Sequence, residues 1–65
     1  MDSYKITIIR SYGTHEREVG RITMNVEATS EVMVKGLANA LCDNMYQTSL
    51  GYYHYEYDKM EKTNG

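Results

Sequence analysis

Apolar and polar residues alternate in three segments of the chain, and this alternation is the first signal of its fold. The first segment, YKITIIRSY, is also rich in the β-branched and aromatic residues that favour strands. The second places apolar side chains at every other position from Ile22 to Ala28, and the third, YYHYEYDKM, alternates tyrosines with mostly polar residues. We therefore predict β-strands over residues 4–12, 17–28 and 52–60.

Between the second and third strands, apolar residues recur every three or four positions, which is the spacing of one helix face. Thr29 or Ser30 can accept a hydrogen bond from the free amides of the first turn. Glu31 adds negative charge where the helix dipole favours it. The predicted helix spans residues 30–46. Its apolar stripe consists of Val34, Leu37, Ala38, Leu41 and Met45.

Short polar or glycine-containing segments connect and end these elements. Residues 13–16 read as a polar turn, so the first two strands are expected to form an antiparallel hairpin. Gly20 interrupts the start of the second strand and indicates a bulge or a close backbone approach. Gly51 is the expected break after the helix. Residues 61–65 are polar and are predicted to be a frayed tail.

The element order is strand, strand, helix, strand, which predicts an α+β fold and a single domain over residues 1–65. A helix of about 17 residues is long enough to return the chain to the far side of the first strand. The prediction is a three-stranded antiparallel sheet of order 2-1-3 with one helix on one face. The side chains expected beneath the helix are Ile6, Ile8, Met24, Val26, Tyr53 and Tyr55. The open face would carry Lys5, Thr7, Ile9, Arg21, Thr23, Asn25, Tyr52, His54 and Glu56.

The chain has 65 residues and contains seven tyrosines but no tryptophan or phenylalanine. A domain this small buries a modest share of its surface, so its core is expected to be thin. Such scaffolds usually need an additional source of stability. We therefore expect either a larger protein partner or a second copy of the chain in a homodimer.

The net charge of −2 and a pI near 5.5 give neither the basic field that holds a phosphate backbone nor a strongly acidic surface. A single cysteine, Cys42, is typical of a reducing compartment. The N-terminal residues lack the apolar run of a signal peptide, and no segment approaches a membrane span. We expect a complete small gene product in the cytoplasm, or in the host cytoplasm if it is encoded by a phage.

Residues that could carry catalysis are few. Cys42 with His54 or His15 could form a thiol and base pair, but Cys42 lies beside the apolar stripe, where free cysteine usually behaves as a small hydrophobe. The histidines and the cysteine lack the close pair spacings of structural zinc, and there is no glycine-rich phosphate loop. The sequence therefore predicts a protein that is not an enzyme and that needs no metal or cofactor.

The tyrosine-rich third strand is the main candidate for binding. Tyrosine is enriched at protein interfaces because it buries a large rigid area while its hydroxyl keeps a hydrogen bond. The competing interpretation is that Tyr53, Tyr55 and Tyr57 replace the missing larger aromatics under the helix. His54 is either a pH-sensitive contact or an ordinary surface residue. The predicted binding residues are Tyr12, Arg21, Tyr52, His54 and Glu56.

Two functions fit this pattern. The first is a non-catalytic module that binds a larger protein through the open sheet face and the exposed tyrosines. The second is single-stranded nucleic-acid binding, which the net negative charge disfavours. In that alternative the stacking residues would be Tyr12, Tyr52 and His54, and the phosphate contacts would be Lys5, Arg10, Arg17 and Arg21.

The order of elements also resembles that of several small phage-encoded proteins. The hairpin, the strand-to-helix junction VEATSEVMVKGLANAL and the closing strand are similar in layout to phage inhibitors of host machinery. These include RNA polymerase inhibitors and anti-CRISPR proteins. The resemblance covers residues 4–58 and carries no family motif, so it assigns no residue a role. It implies an inhibitor of a host protein or of a nucleic-acid-processing complex.

Overall fold

A computed structural model describes residues 1–12 and 17–63. Within these residues the chain forms three strands and one helix, each starting and ending within two residues of its predicted bounds. The predicted polar turn at 13–16 lies outside the described residues. The elements are β1 (Asp2–Tyr12), β2 (Arg17–Ala28), α1 (Glu31–Thr48) and β3 (Tyr53–Lys62).

The three strands form one sheet of order β2-β1-β3, and β1 pairs antiparallel with both neighbours. The helix packs on one face of this sheet. The predicted fold class, strand order and pairing are therefore confirmed. Because β1 is central, its residues are covered from both sides, and even Thr7 on the face opposite the helix is only 5% exposed.

The core lies between β1 and the helix. Ile6 and Ile8 of β1 and Val34 of the helix are fully buried. Burying an aliphatic side chain of this size contributes about 1.5–3 kcal/mol to folding. The remaining buried apolar residues are Tyr4, Ala28, Ala38 and Cys42. The predicted thin core is thus a narrow band along the central strand.

Ile8 is the centre of that band across the sheet. Its register partner on β2 is Ile22 and its partner on β3 is Tyr57. Tyr55 and Tyr57 pack against the buried core residues. The interpretation of these two tyrosines as substitutes for larger aromatics under the helix is confirmed.

Each strand pair contains one irregularity. Between β1 and β2, Arg10 pairs with Gly20 and Ser11 with Glu18, which leaves Val19 as the extra residue beside the predicted irregularity at Gly20. Between β1 and β3 the register shifts at Asp58, because Ile8 pairs with Tyr57 while Thr7 pairs with Lys59. Such bulges bend a strand and locally disrupt its ladder.

The helix has a regular start and an unusual end. Ser30 is its N-cap, and its hydroxyl accepts a hydrogen bond of 3.3 Å from the Met33 amide. At the C-terminus the Gly51 amide donates to the Tyr46 carbonyl and the Leu50 amide donates to the Gln47 carbonyl. This pair of bonds is the Schellman arrangement, whose left-handed residue is usually glycine. Here that residue is Leu50, with φ 59°.

The prediction that Leu37 lies in the core is wrong, because its side chain is 43% exposed while Cys42 is buried. The helix begins next to Ala28 at the end of β2 and ends next to Tyr53 at the start of β3. Most of its contacts with the sheet are with β3. Leu37 therefore lies on the flank that the shift towards β3 leaves uncovered.

The prediction of a frayed tail over residues 61–65 is wrong for its first two residues. Glu61 and Lys62 continue β3 and pair with Lys5 and Tyr4. The Thr63 amide then donates a hydrogen bond of 2.8 Å to the Ser3 carbonyl. These residues are held because the long β1 supplies backbone partners out to its first residues; residues 64–65 lie outside the described part.

Candidate functional site

Aromatic side chains collect where β1 ends and β3 begins. Tyr12 is the register partner of Tyr53, and the Tyr52 ring lies 5.0 Å from Tyr12 and 4.9 Å from Tyr53, both edge to face. Pairs of this geometry contribute about 0.5–1.5 kcal/mol each beyond their buried area. We call the cluster of Tyr12, Tyr52 and Tyr53, together with Leu50 two residues before Tyr52 in the chain, the tyrosine end.

The hydroxyls of Tyr12 and Tyr52 lie 2.8 Å apart and share a hydrogen bond. This bond, followed by the charge interaction with Tyr12, raises the pKa of Tyr52. The Tyr52 phenol is therefore neutral at physiological pH. Each hydroxyl still has hydrogen-bonding capacity for another molecule, since a phenol can donate once and accept as well.

Arg10 supports the tyrosine end from beneath. Its guanidinium carbon lies 4.8 Å from the centre of the Tyr53 ring, a cation–π distance. Gly20 makes room for this side chain, because a Cβ at that position would lie 3.3 Å from an Arg10 nitrogen. The absence of a side chain at Gly20 therefore lets the Arg10 guanidinium lie against β2.

Leu50 is the most exposed large apolar residue of this surface. Its side chain is 93% exposed, and its backbone has φ 59°. A residue with a Cβ in this conformation costs about 1–2 kcal/mol relative to the right-handed region. Neither conformational preference nor burial within the chain explains a leucine at this position.

The open face holds a different set of groups. Arg21 and Glu56 are the register partners of Ile9 from opposite sides. The Arg21 Nε donates to Glu18 at 2.8 Å, and another of its nitrogens donates to Asp58 at 3.0 Å. Hydrogen bonding to Glu18 is the main cause that raises the pKa of Arg21. The Arg21 charge is thus balanced by two carboxylates, and the ion pair with Asp58 spans the sheet.

His54 lies on β3 opposite Ser11. Its ring is 5.2 Å from the ring of Tyr46, which belongs to the last turns of the helix. The histidine therefore connects the edge of the open face to the end of the helix.

The five predicted binding residues divide between two places. Arg21 and Glu56 lie on the open face, whereas the ring of His54 packs against Tyr46 of the helix. Tyr52 was expected there too, but it precedes β3 and packs with Tyr12 at the tyrosine end. The structure thus brings the two tyrosines together and separates them from the charged group.

Leu50 was missed by the sequence analysis. The local signal is its position directly before Gly51. The first left-handed residue after a helix is usually glycine, and here a leucine takes that place. Reading that signal requires knowing that the helix extends to Thr48 rather than to residue 46.

Cys42 has the environment of a core residue. Burial is the main cause that raises the pKa of its thiol, and the charges of Asp43 and Glu56 act in the same direction. A thiol with a raised pKa is a poor nucleophile at neutral pH. Across residues 1–12 and 17–63, no three side chains of His, Cys, Asp or Glu cluster as metal ligands would.

Comparisons with family models, curated proteins and solved structures find no match for this chain. Within the part of the chain that the structure describes, no helix combines the length and the apolar character needed to cross a membrane. Function is therefore inferred from the surface features described above.

Proposed function

We propose that this chain is a small, non-catalytic module that binds a larger protein, with the tyrosine end as its docking surface. Leu50 is the observation that carries the proposal. A leucine that is 93% exposed and held at φ 59° is unfavourable for the isolated chain in two ways. Residues kept in strained conformations concentrate at functional sites. A partner with an apolar pocket would give this leucine a favourable contact.

The clustered tyrosines next to Leu50 in the chain have properties that favour binding. Tyr12 and Tyr52 are exposed, but each ring is fixed by edge-to-face contacts, so little conformational freedom is lost on binding. Their hydroxyls can hydrogen-bond the partner. Tyrosine is one of the residue types enriched at energetically dominant contacts.

Within this class we propose an inhibitor that acts by occupying a surface of its target. The shared order of elements with small phage-encoded inhibitors supports this narrower proposal. A chain of 7.5 kDa whose candidate surface is a single rigid end is suited to blocking a site.

Single-stranded nucleic-acid binding is the alternative, and three features disfavour it. The net charge is −2, Arg21 is balanced by Glu18 and Asp58, and Arg10 already lies against the Tyr53 ring. Stacking of a base needs an open aromatic face next to unpaired cations. The protein-binding proposal needs neither.

The test compares capture by the wild-type chain with capture by Leu50→Asn. Asparagine tolerates the left-handed conformation, so this variant should be as stable as wild type or more stable by up to about 1 kcal/mol. We expect it to lose at least about tenfold in affinity for the captured protein, which corresponds to about 1.4 kcal/mol. Native mass spectrometry after incubation with host lysate identifies the partner, and titration with that purified partner gives the affinities.

Val32→Asn is the matched control, because Val32 is also an exposed apolar residue but lies in the first turn of the helix. It should bind as wild type does. Equal binding by Leu50→Asn would contradict the proposal. A parallel fluorescence titration with short single strands at low and high salt tests the alternative, which salt-sensitive binding would favour.

A further inference from the structure

The outer edge of β2 is a long row of backbone groups without a partner strand in the described structure. β2 has 12 residues, and among residues 1–12 and 17–63 its only strand neighbour is β1. Exposed edges of this length readily pair with another chain, and proteins that remain monomeric usually obstruct them. The edge of β2 therefore needs either an obstruction or a partner.

The helix-side positions of β2 provide no obstruction. Every one of them is uncharged, whereas guarded edges place a lysine, a proline or another inward charge there. They are half-buried or buried, so apolar area remains along the edge. The residues at these positions are Gly20, Ile22, Met24, Val26 and Ala28.

The helix covers this side of the sheet only in part, because Ile22, Met24 and Val26 pack against the core but stay half-exposed. Glu31, Val32 and Lys35 line a groove of about 490 Å³ with β3, so that flank of the helix faces β3. Met33 and Leu37 lie on the opposite flank, towards β2, and both are exposed. The β2 side therefore combines a free backbone edge with uncovered apolar side chains.

We propose that β2 pairs antiparallel with β2 of a second copy of this chain, about a two-fold axis at Met24. The two sheets of three strands would then form one continuous sheet of six. In this register Met24 faces its own counterpart and Ile22 faces Val26. On the open face, Arg21 of each copy is opposite Glu27 of the other.

Charge complementarity selects this register. A shift of one residue would place the apolar side chains of one copy opposite the polar face of the other. Centring the pair on Thr23 would set Arg21 against Asn25, and centring it on Asn25 would set Glu27 against Thr23. Of these three registers, only the one centred on Met24 places opposite charges directly across the strands. The two-fold axis produces this Arg21–Glu27 pair twice. Cross-strand pairs of this kind stabilise a sheet.

Arg21 can take part in this contact without giving up its existing partners. A guanidinium has five N–H donors. Three are used in bonds to Glu18 and Asp58. Two donors therefore remain for Glu27 of the second copy.

This inference goes beyond the proposed function and is independent of it. A two-fold axis at Met24 places the two tyrosine ends at opposite ends of the long sheet. Each end stays free, so the dimer would present two docking surfaces. Loss of dimerisation and loss of partner capture can therefore be measured separately.

Sedimentation velocity of the purified chain over a concentration series is the first test. We expect a reversible dimer of twice the 7.5 kDa chain mass. Glu27→Arg, which sets arginine against Arg21, should weaken dimerisation at least tenfold. Glu61→Arg makes the same charge change on β3 and should leave dimerisation unchanged, while circular dichroism checks that both variants fold.

Disulfide trapping is the second test and does not depend on Glu27. In a Cys42→Ala background, Met24→Cys should form a disulfide-linked dimer under mild oxidation, because paired strands bring facing Cα atoms within disulfide range. Lys59→Cys on β3 should not. A chain that is monomeric throughout, a dimer broken by Glu61→Arg, or linkage at residue 59 instead of 24 would overturn the proposal and leave β2 free for a different protein.

Discussion

The two edge strands of the sheet differ in how they are covered. β3 lies against the helix and is interrupted by a bulge at Asp58, with Lys59 directly beside it. β2 has fewer contacts with the helix than β3 has, and its bulge lies near its start at Val19. One helix can cover only about half of a three-stranded sheet of this kind. The β3 side is covered more fully, whereas the half-exposed side chains of β2 are available for contact.

The short connections at both ends of the helix explain this difference. The chain passes from Ala28 to the helix with two residues between them, which fixes the start of the helix beside β2. At the other end the Ser49 hydroxyl donates to the Tyr46 carbonyl at 2.8 Å and accepts from the Tyr53 amide at 3.3 Å. The helix must therefore end beside β3, and its packing shifts to that strand along its length.

The largest expected effect compares the two register partners of Ile8. Tyr57→Ala removes a large side chain from beneath the helix on β3 and should lower the free energy of unfolding by about 3 kcal/mol. Ile22→Ala on β2 should cost about 2 kcal/mol or less, because the helix covers it poorly. Urea unfolding at low protein concentration measures both. Equal losses would mean that the helix covers the two edges alike.

A smaller effect is expected from the ion pair that links the two edges across the open face. Arg21→Gln removes the bonds to Glu18 and Asp58, yet half of the Arg21 side chain is exposed, so the loss of stability should be small. It should shrink further at high salt. Lys62→Gln, which removes the exposed pair with Asp2, is the control. A loss well above that of the control would show that the pair is needed to hold β2 and β3 in register.

The smallest effect concerns the hydrogen bond at the tyrosine end. Because the pKa of Tyr52 is raised in the folded chain, this bond stabilises the fold below the ordinary tyrosine pKa of about 10 and is lost as the pH rises through the folded value. Tyr12→Phe should remove this contribution and return the Tyr52 pKa towards its ordinary value. Phenolate absorbance and the urea midpoint, both followed with pH, check this. An unchanged titration would contradict the assigned partner.

The sequence predicts the elements and the topology well because alternation and helical spacing are local signals. The run of β-branched residues in β1 identifies a central strand, and the short junctions leave few ways to connect the elements. The rotation of the helix is not encoded locally, since Leu37 and Cys42 both fit an apolar stripe. Only the shift of the helix towards β3 decides that Cys42 is buried.

The candidate site is predictable only in part for the same reason. The tyrosine-rich composition of the third strand predicts that tyrosines form the binding site. Two of the five predicted residues, Tyr12 and Tyr52, do meet at one end of the sheet. Their contact depends on the bend of the chain before β3, which alternation cannot show. Leu50 stands out because of its positive φ angle, and a backbone angle is visible only in the structure.

Amide hydrogen exchange, followed by NMR for each residue at low and high protein concentration, tests most directly whether β2 is the free edge that a second copy covers. Edge amides that gain a partner strand exchange more slowly. We predict that the outward-facing amides between Gly20 and Ala28 become protected as concentration rises, while those of β3 do not change. Protection that appears on β3, or on neither strand, would contradict this account.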